Sequence, residues 1–286
     1  MSATDRPDSA TFDLTWLDLR EPADRRARNQ GLVTKLADLL AAAEHGADGL
    51  AIVDLGAGHG ASARALAPHL AGPQRWILVD RDAALLAAAS ERLTDVVDAA
   101  GRPIAVGAEV FDLAHGALDE AIEGADLVTM SAFLDLASRG FAERLAEAAA
   151  AARALVLATL SVDGRLAIEP SDPVDTAIFD AFNAHMTRDK GFGPALGPRA
   201  PDIASHVFRA NGFRVELGRS DWVLGPEDAG LAAALVDGWA TAAAETDLVD
   251  RTALARWRER RAAEAAAGRL RIVVGHLDML AVPTIR

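Results

Sequence analysis

The run Ile52-Val53-Asp54-Leu55-Gly56-Ala57-Gly58-His59-Gly60 holds the most specific chemistry in the chain. Apolar residues of strand type lead into alternating glycines, and an alanine-rich helical stretch follows. Glycines permit a tight strand-to-helix turn and let a ligand approach the backbone without a Cβ in the way. The helix beyond them offers free N–H groups at its start. A second apolar run, Trp76-Ile77-Leu78-Val79, closes on Asp80, twenty residues past Gly60. A carboxylate there can accept hydrogen bonds from both hydroxyls of a ribose. The two signals predict a ligand containing a nucleoside and leave open which one.

The same stretch can be written G-x-G-x-x-A, ending at Ala61, so a nicotinamide or flavin dinucleotide also fits the spacing. Three features favour a ligand with a cationic amino-acid tail. Asp54 sets a negative charge one residue before the glycines. The turn follows a helical leader, and the chain continues past a fifth strand into two more. In these residues the sequence resembles the class I S-adenosylmethionine-dependent methyltransferase family. The matching positions are Val53 to Gly60, Asp80 at the end of the second strand and Asp112 at the end of the third. The resemblance covers roughly Ala51 to Leu160 by motif and the last two strands by order.

That resemblance implies an α/β, Rossmann-like fold: a seven-stranded, mostly parallel sheet with helices on both faces and an antiparallel last strand. It implies S-adenosyl-L-methionine as cofactor. Asp54 and Gly56 would line its methionine moiety, and Gly58 and Gly60 would underlie the adenosyl group. Asp80 would hold the ribose, Asp112 and Leu113 would flank the adenine, and Ala57, Arg81 and Ser131 would complete the set. His59 departs from the small polar residue more usual at its position. An unliganded βα turn is the plain alternative for Gly56 to Gly60, and a strand-end or helix-cap acid is the plain alternative for Asp112.

Methyl transfer from a sulfonium is an in-line displacement by a nucleophile on the acceptor, and positioning with exclusion of water can supply much of its rate. A dedicated base is therefore optional. Two segments could flank the methyl group. Ser131-Ala132-Phe133-Leu134-Asp135 follows the fourth strand, with Phe133 against the acceptor and Asp135 placed to take a proton or to cap a helix. Phe182 to Gly193 combines a possible base (His185), two cations (Arg188, Lys190) and aromatic surface (Phe182, Phe192) among flexible glycines. That mixture suits a lid over an anionic or aromatic small molecule, and equally a solvated helix and turn. Trp222, after Ser220-Asp221, reads as core. Arg25 and Arg28 could reach a cofactor carboxylate, with surface placement as the simpler reading.

The elements that would position these groups alternate regularly. Helix is predicted from Thr15 to Glu44, then strands over 51–55, 76–80, 104–112, 126–130 and 154–160, with helices between them. Such alternation predicts a parallel sheet with its ligand at the carboxyl ends of the strands. Residues 162–203, rich in Gly, Pro and Asp, read as a lid or substrate loop. A sixth strand over 213–224, a helical insert over 228–268 and a last strand over 270–282 follow. The expected division is a helical leader or cap over 1–46, of which 1–12 reads as a frayed start, and a catalytic domain over 47–286.

Composition narrows the function classes. The 286 residues are 51% hydrophobic and carry a formal charge of −13. An acidic chain meets nucleic acid poorly unless its basic residues gather on one face. Arg25, Arg26 and Arg28, and then Arg256, Arg258, Arg260 and Arg261, read as solvated helix faces. Cysteine is absent, which removes disulfides, thiolate ligands and cysteine nucleophiles. No His/Asp/Glu spacing suggests a metal site, and no G-x-S-x-G elbow is present. The polar N-terminus and the lack of a long apolar run predict a cytoplasmic protein with a small-molecule substrate and no membrane or nucleic-acid partner. The region 228–266 could pack on the domain or form a homodimer contact. Rival readings are an NAD-dependent oxidoreductase using the same turn, with Asp80 selecting an unphosphorylated ribose, and a noncatalytic Rossmann-like binding module.

Overall fold

The computed structural model describes residues 13–43, 45–46, 49–246 and 248–284. The start expected to fray (1–12) and the end of the first predicted helix at Glu44 lie outside the described residues. The apolar runs form one sheet from β1 (Leu50–Leu55), β2 (Gln74–Asp80), β3 (Ala105–Val110), β4 (Leu127–Ser131), β5 (Leu155–Glu169), β6 (Phe213–Arg219), β7 (Trp222–Leu224) and β8 (Arg271–Pro283). Their order is β3-β2-β1-β4-β5-β8-β6, with β7 also paired to β8. Strands β1 to β5 are parallel, and β8 runs antiparallel to β5, β6 and β7. The chain reverses direction between β3 and β4 on either side of β1–β2, so a crevice opens at the carboxyl ends of β1 and β4.

Eight strands stand where seven were expected, because the run 213–224 is broken. Strands β6 and β7 both lie along β8, and between them Ser220 donates its N–H to the His276 carbonyl while Asp221 turns to Arg165. Seven positions across the sheet thus hold eight strands. The fifth strand also runs on to Glu169 instead of ending at Leu160, because residues 161–169 pair with 271–277 after one register shift and across a second. Much of the expected loop 162–203 is therefore regular structure.

The helices are α1 (Leu14–Ala27), α2 (Gln30–Ala41), α3 (Ala61–Leu66), α4 (Ala83–Arg92), α5 (Leu118–Ala121), α6 (Arg139–Ala152), α7 (Asp175–Met186), α8 (Ala200–Ala210), α9 (Ala229–Ala244) and α10 (Arg251–Ala266). The single leader helix expected from Thr15 is two, because Arg28 is extended and Asn29 caps α2 through the Leu32 N–H. The predicted insert 228–268 is likewise a pair, α9 and α10. None of the described helices is long and apolar enough to cross a membrane.

Three apolar clusters hold these layers. Helices α6 and α8 cover one face of the sheet, and α2, α3 and α4 cover the other. The third cluster gathers Trp222, Trp239 and Trp257 where α7, α9 and α10 pack on the far ends of β5 and β8. Trp222 is core, as its type suggested. At the base of this cap Arg261, expected on a solvated face, is buried: it donates to both oxygens of Asp175 at 2.7 and 2.6 Å, and Trp257 Nε1 donates to Asp175 at 2.8 Å. The sequence motif could not show this, since the partners lie 86 residues apart.

Candidate active site

The glycine turn leaves β1 in a left-handed conformation at Gly56 (φ +66°) and Gly58 (φ +52°). At Gly56 a Cβ would come within 2.6 Å of the Phe133 ring, so only glycine lets that ring lie against the turn. The turn is pinned to β2, whose Val79 carbonyl accepts the N–H groups of Gly56 and Ala57 at 2.8 and 3.1 Å. Asp80 then accepts the Gly58 N–H through Oδ2 at 2.9 Å and the Asp82 N–H through Oδ1 at 3.0 Å. Each oxygen keeps a further lone pair.

Around this turn lies a cleft of about 830 Å³, within the size range of small-molecule sites. Its lining joins Gly56, Gly58, Asp80, Arg81, Asp112, Leu113, Ser131 and Phe133 to His185, Arg188, Lys190 and Phe192. Residues expected from two distant segments thus meet in one cavity. Ala132, between Ser131 and Phe133, takes φ +50°, a conformation uncommon for a non-glycine residue, and it also faces the cleft. Phe133 and Phe192 form a wall with Phe141 behind them, each pair of ring centres 5.4 Å apart.

Asp54, Ala57, Gly60 and Asp135 do not line the cleft. Ala57 is buried in the core, and Gly60 packs toward Leu93 and Ala89 around α4. Asp54 is fully buried, with Oδ1 accepting from the Thr129 hydroxyl at 2.7 Å and Oδ2 without a partner. Burial pushes its pKa up to about 7, although Thr129 and Arg28 favour the charged form. Its charge is therefore not presented to a ligand as the sequence argument supposed; it braces β1 against β4. Asp135 is buried with Oδ1 unpartnered, and burial raises its pKa to about 6. Its carbonyl accepts the Gly197 N–H at 2.9 Å, which ties the loop after β4 to the chain leading into α8.

His185 and Arg188 reach the cleft already engaged. Both contact the carboxylate of Glu245, at 3.1 and 2.6 Å. Asp112 pairs with His115, whose ring holds the acid below its ordinary range. Arg28, for which surface placement was the simpler reading, is buried and donates to the Thr159 hydroxyl at 2.9 Å.

Several lining residues carried no signal in the sequence. Leu17 and Arg20 come from α1, Phe111 from the end of β3, and Glu245 from the end of α9. The leader is fastened to the glycine turn by a cluster that spacing did not suggest. His59, Asp18 and Glu21 converge, and Arg64 and Arg92 bind the two carboxylates. The His59 and Arg64 contacts hold Glu21 well below the usual carboxyl range. With an arginine on each acid, the cluster is satisfied as an ion-pair latch.

No protein-family model matches the chain, and no curated protein matches it. Solved structures do. A cyclopropane-fatty-acyl-phospholipid synthase-like protein from Lactobacillus casei aligns over 91% of this chain and 91% of its own, with TM-score 0.50 and 15% identity. An N-methyltransferase of Haemonchus contortus, solved with phosphomonomethylethanolamine and S-adenosylhomocysteine, aligns over 96% of this chain at TM-score 0.47 and 14% identity. This chain spans 59% of that protein's length. A SAM-dependent methyltransferase from Methanosarcina mazei aligns over 82% of this chain and 93% of its own, at TM-score 0.45 and 11% identity. At 15% identity what the first of these shares with this chain is the fold, here a mostly parallel Rossmann-like sheet with an antiparallel last strand.

Proposed function

We propose that the protein is an S-adenosylmethionine-dependent methyltransferase acting on a small polar, anionic or aromatic acceptor. The observation that carries this reading is Asp80. Two backbone N–H groups fix its carboxylate beside the glycine turn, and each oxygen retains a lone pair for a ribose hydroxyl. Gly56 and Gly58 bring the turn's backbone to the cleft, which fits a ligand laid along it, and Arg81, Phe111, Asp112 and Leu113 line the cleft for a purine. Ser131 and Arg20 line it for the amino-acid end.

S-adenosylmethionine held there supplies an activated methyl group for in-line displacement by the acceptor's own nucleophile. Phe133 and Phe192 exclude water beside the reacting centre and hold the body of the acceptor. A dedicated base is not required: Asp135 is walled off from the cleft, and His185 is engaged with Glu245. The chain's contribution in this reading is binding, orientation and dehydration.

Calorimetric titration with S-adenosylmethionine, S-adenosylhomocysteine and the nicotinamide dinucleotides tests it. Micromolar binding of the two adenosyl compounds is expected. Asp80→Ala removes two charge-assisted hydrogen bonds and should weaken that binding by ~3 kcal/mol, about a hundredfold. Binding of dinucleotides in their place would make the protein an oxidoreductase. Binding of neither would leave a noncatalytic module with this fold.

A further inference from the structure

One carboxylate of the protein itself holds the part of the cleft lining that α7 and the end of α9 supply. Arg188 donates to Glu245 Oε2 at 2.6 Å and to the Glu245 carbonyl at 2.8 Å, and His185 Nε2 lies 3.1 Å from the same Oε2. The turn after Arg188 is braced by Asp189, whose Oδ1 accepts the N–H groups of Gly191 and Gly193 at 2.7 and 3.0 Å. Lys190 lines the same cavity, and among the described residues no carboxylate pairs with it. The apolar rings of Phe133 and Phe192 line this cavity too.

Glu245 is poorly placed for a structural acid. It is the residue that ends α9, where the carbonyl ends of the helix disfavour a negative charge. The Glu245 and Arg188 side chains are about half exposed, at 50% and 46%, and ion pairs in such settings are held weakly. Burial and the nearby Lys190 keep the His185 imidazole below its ordinary range, so at neutral pH the ring is uncharged and offers a single N–H. The arrangement has the donors of a carboxylate receptor, and a half-exposed carboxylate of the protein occupies them.

We propose that the acceptor is a small carboxylic acid with an apolar or aromatic body, and that its carboxylate replaces that of Glu245 on Arg188 and His185. Glu245 occupies the receptor in the free protein and thereby sets the threshold for anionic acceptors. Lys190 supplies the additional positive charge that lets an incoming acid outcompete the resident one. That the acid is methylated rests on the methyltransferase reading; the receptor itself does not.

The test is calorimetry with benzoate, phenylacetate and indole-3-acetate and the three corresponding amides, with and without S-adenosylhomocysteine. At least one acid should bind the wild-type protein, with its amide weaker by about tenfold or more. Glu245→Gln, checked for an unchanged melting temperature, should tighten the acid by roughly three- to tenfold and leave the amide unchanged. Arg188→Gln should weaken the acid by about tenfold. Equal binding of acids and amides, no gain in Glu245→Gln, or no acid binding to any form would overturn the proposal. Selective acid binding without binding of S-adenosylhomocysteine keeps the receptor and sinks the methyltransferase reading. The reverse result sinks the receptor alone.

Discussion

The two halves of the cleft are built on different principles. The half around β1, β2 and β3 uses backbone: a glycine turn pinned by the Val79 carbonyl and one acid held by two N–H groups. The half around α7 and α9 uses side chains, and those that meet there lie about sixty residues apart: Glu245 is 60 positions from His185 and 57 from Arg188. A backbone site admits little variation, because its donors are fixed by the fold. A side-chain site can be re-specified one residue at a time. On the proposed reading this division matches a constant cofactor and a variable acceptor.

The largest expected effect breaks the second half without touching the first. Arg261 and Asp175 anchor the cap that carries His185 and Glu245, and the arginine is buried. Removing one partner of a buried pair leaves the other charge uncompensated, so Arg261→Ala should lose about 3–5 kcal/mol in chemical denaturation. Under native conditions its affinity for S-adenosylhomocysteine should stay within about threefold of wild type, while selectivity for acids over amides falls. Equal loss of both would show that the two halves are one unit.

The same contrast explains what could be read from the sequence. The turn and Asp80 were legible because their chemistry is local: strand, glycines, helix and an acid at fixed spacing. The sheet was legible because each buried strand is a continuous apolar run. Asp54 misled because sequence shows a charge but not its burial between β1 and β4. The break at Ser220–Asp221 depends on Arg165, 56 residues away, which draws Asp221 out of line. Glu245 and Arg20 had no signal, since a helix end and one turn of a leader reach the cleft only through tertiary packing.

A second, smaller effect is electrostatic and belongs to Asp135, buried behind the loop after β4. Its pKa is raised to about 6 from an ordinary 3.8, chiefly by burial, with its own backbone N–H and then Arg20 pulling the other way. Between those values the folded protein keeps a proton that the unfolded chain has released. Stability therefore falls as pH rises through that window, by about 1.4 kcal/mol per pH unit and ~3 kcal/mol in all, and this contribution is flat above pH ~6. Asp135→Asn stays neutral and should lose that part of the slope. Urea denaturation of both proteins from pH 4 to pH 7 checks it; parallel curves would mean that water reaches the carboxyl and that it is part of the acceptor pocket after all.

The smallest effect tests the seam where the halves touch, the contact of Gly56 with Phe133. Alanine in a left-handed conformation costs roughly 1–2 kcal/mol, and at Gly56 and Gly58 that backbone term is the same. Their surroundings differ. A Cβ on Gly58 would meet Leu17 at 3.4 Å, an ordinary contact, whereas on Gly56 it would press the Phe133 ring at 2.6 Å. That ring is wedged between Phe141 and Phe192 and can move only by displacing the aromatic wall. Gly56→Ala should thus lose more stability than Gly58→Ala by thermal denaturation, and only Gly56→Ala should also weaken binding of aromatic acids. Adding Phe133→Leu to Gly56→Ala should recover part of that stability by removing the edge the new methyl strikes. If the two alanine variants behave alike toward the acids, Phe133 does not couple the turn to the acceptor wall, and the halves meet without communicating.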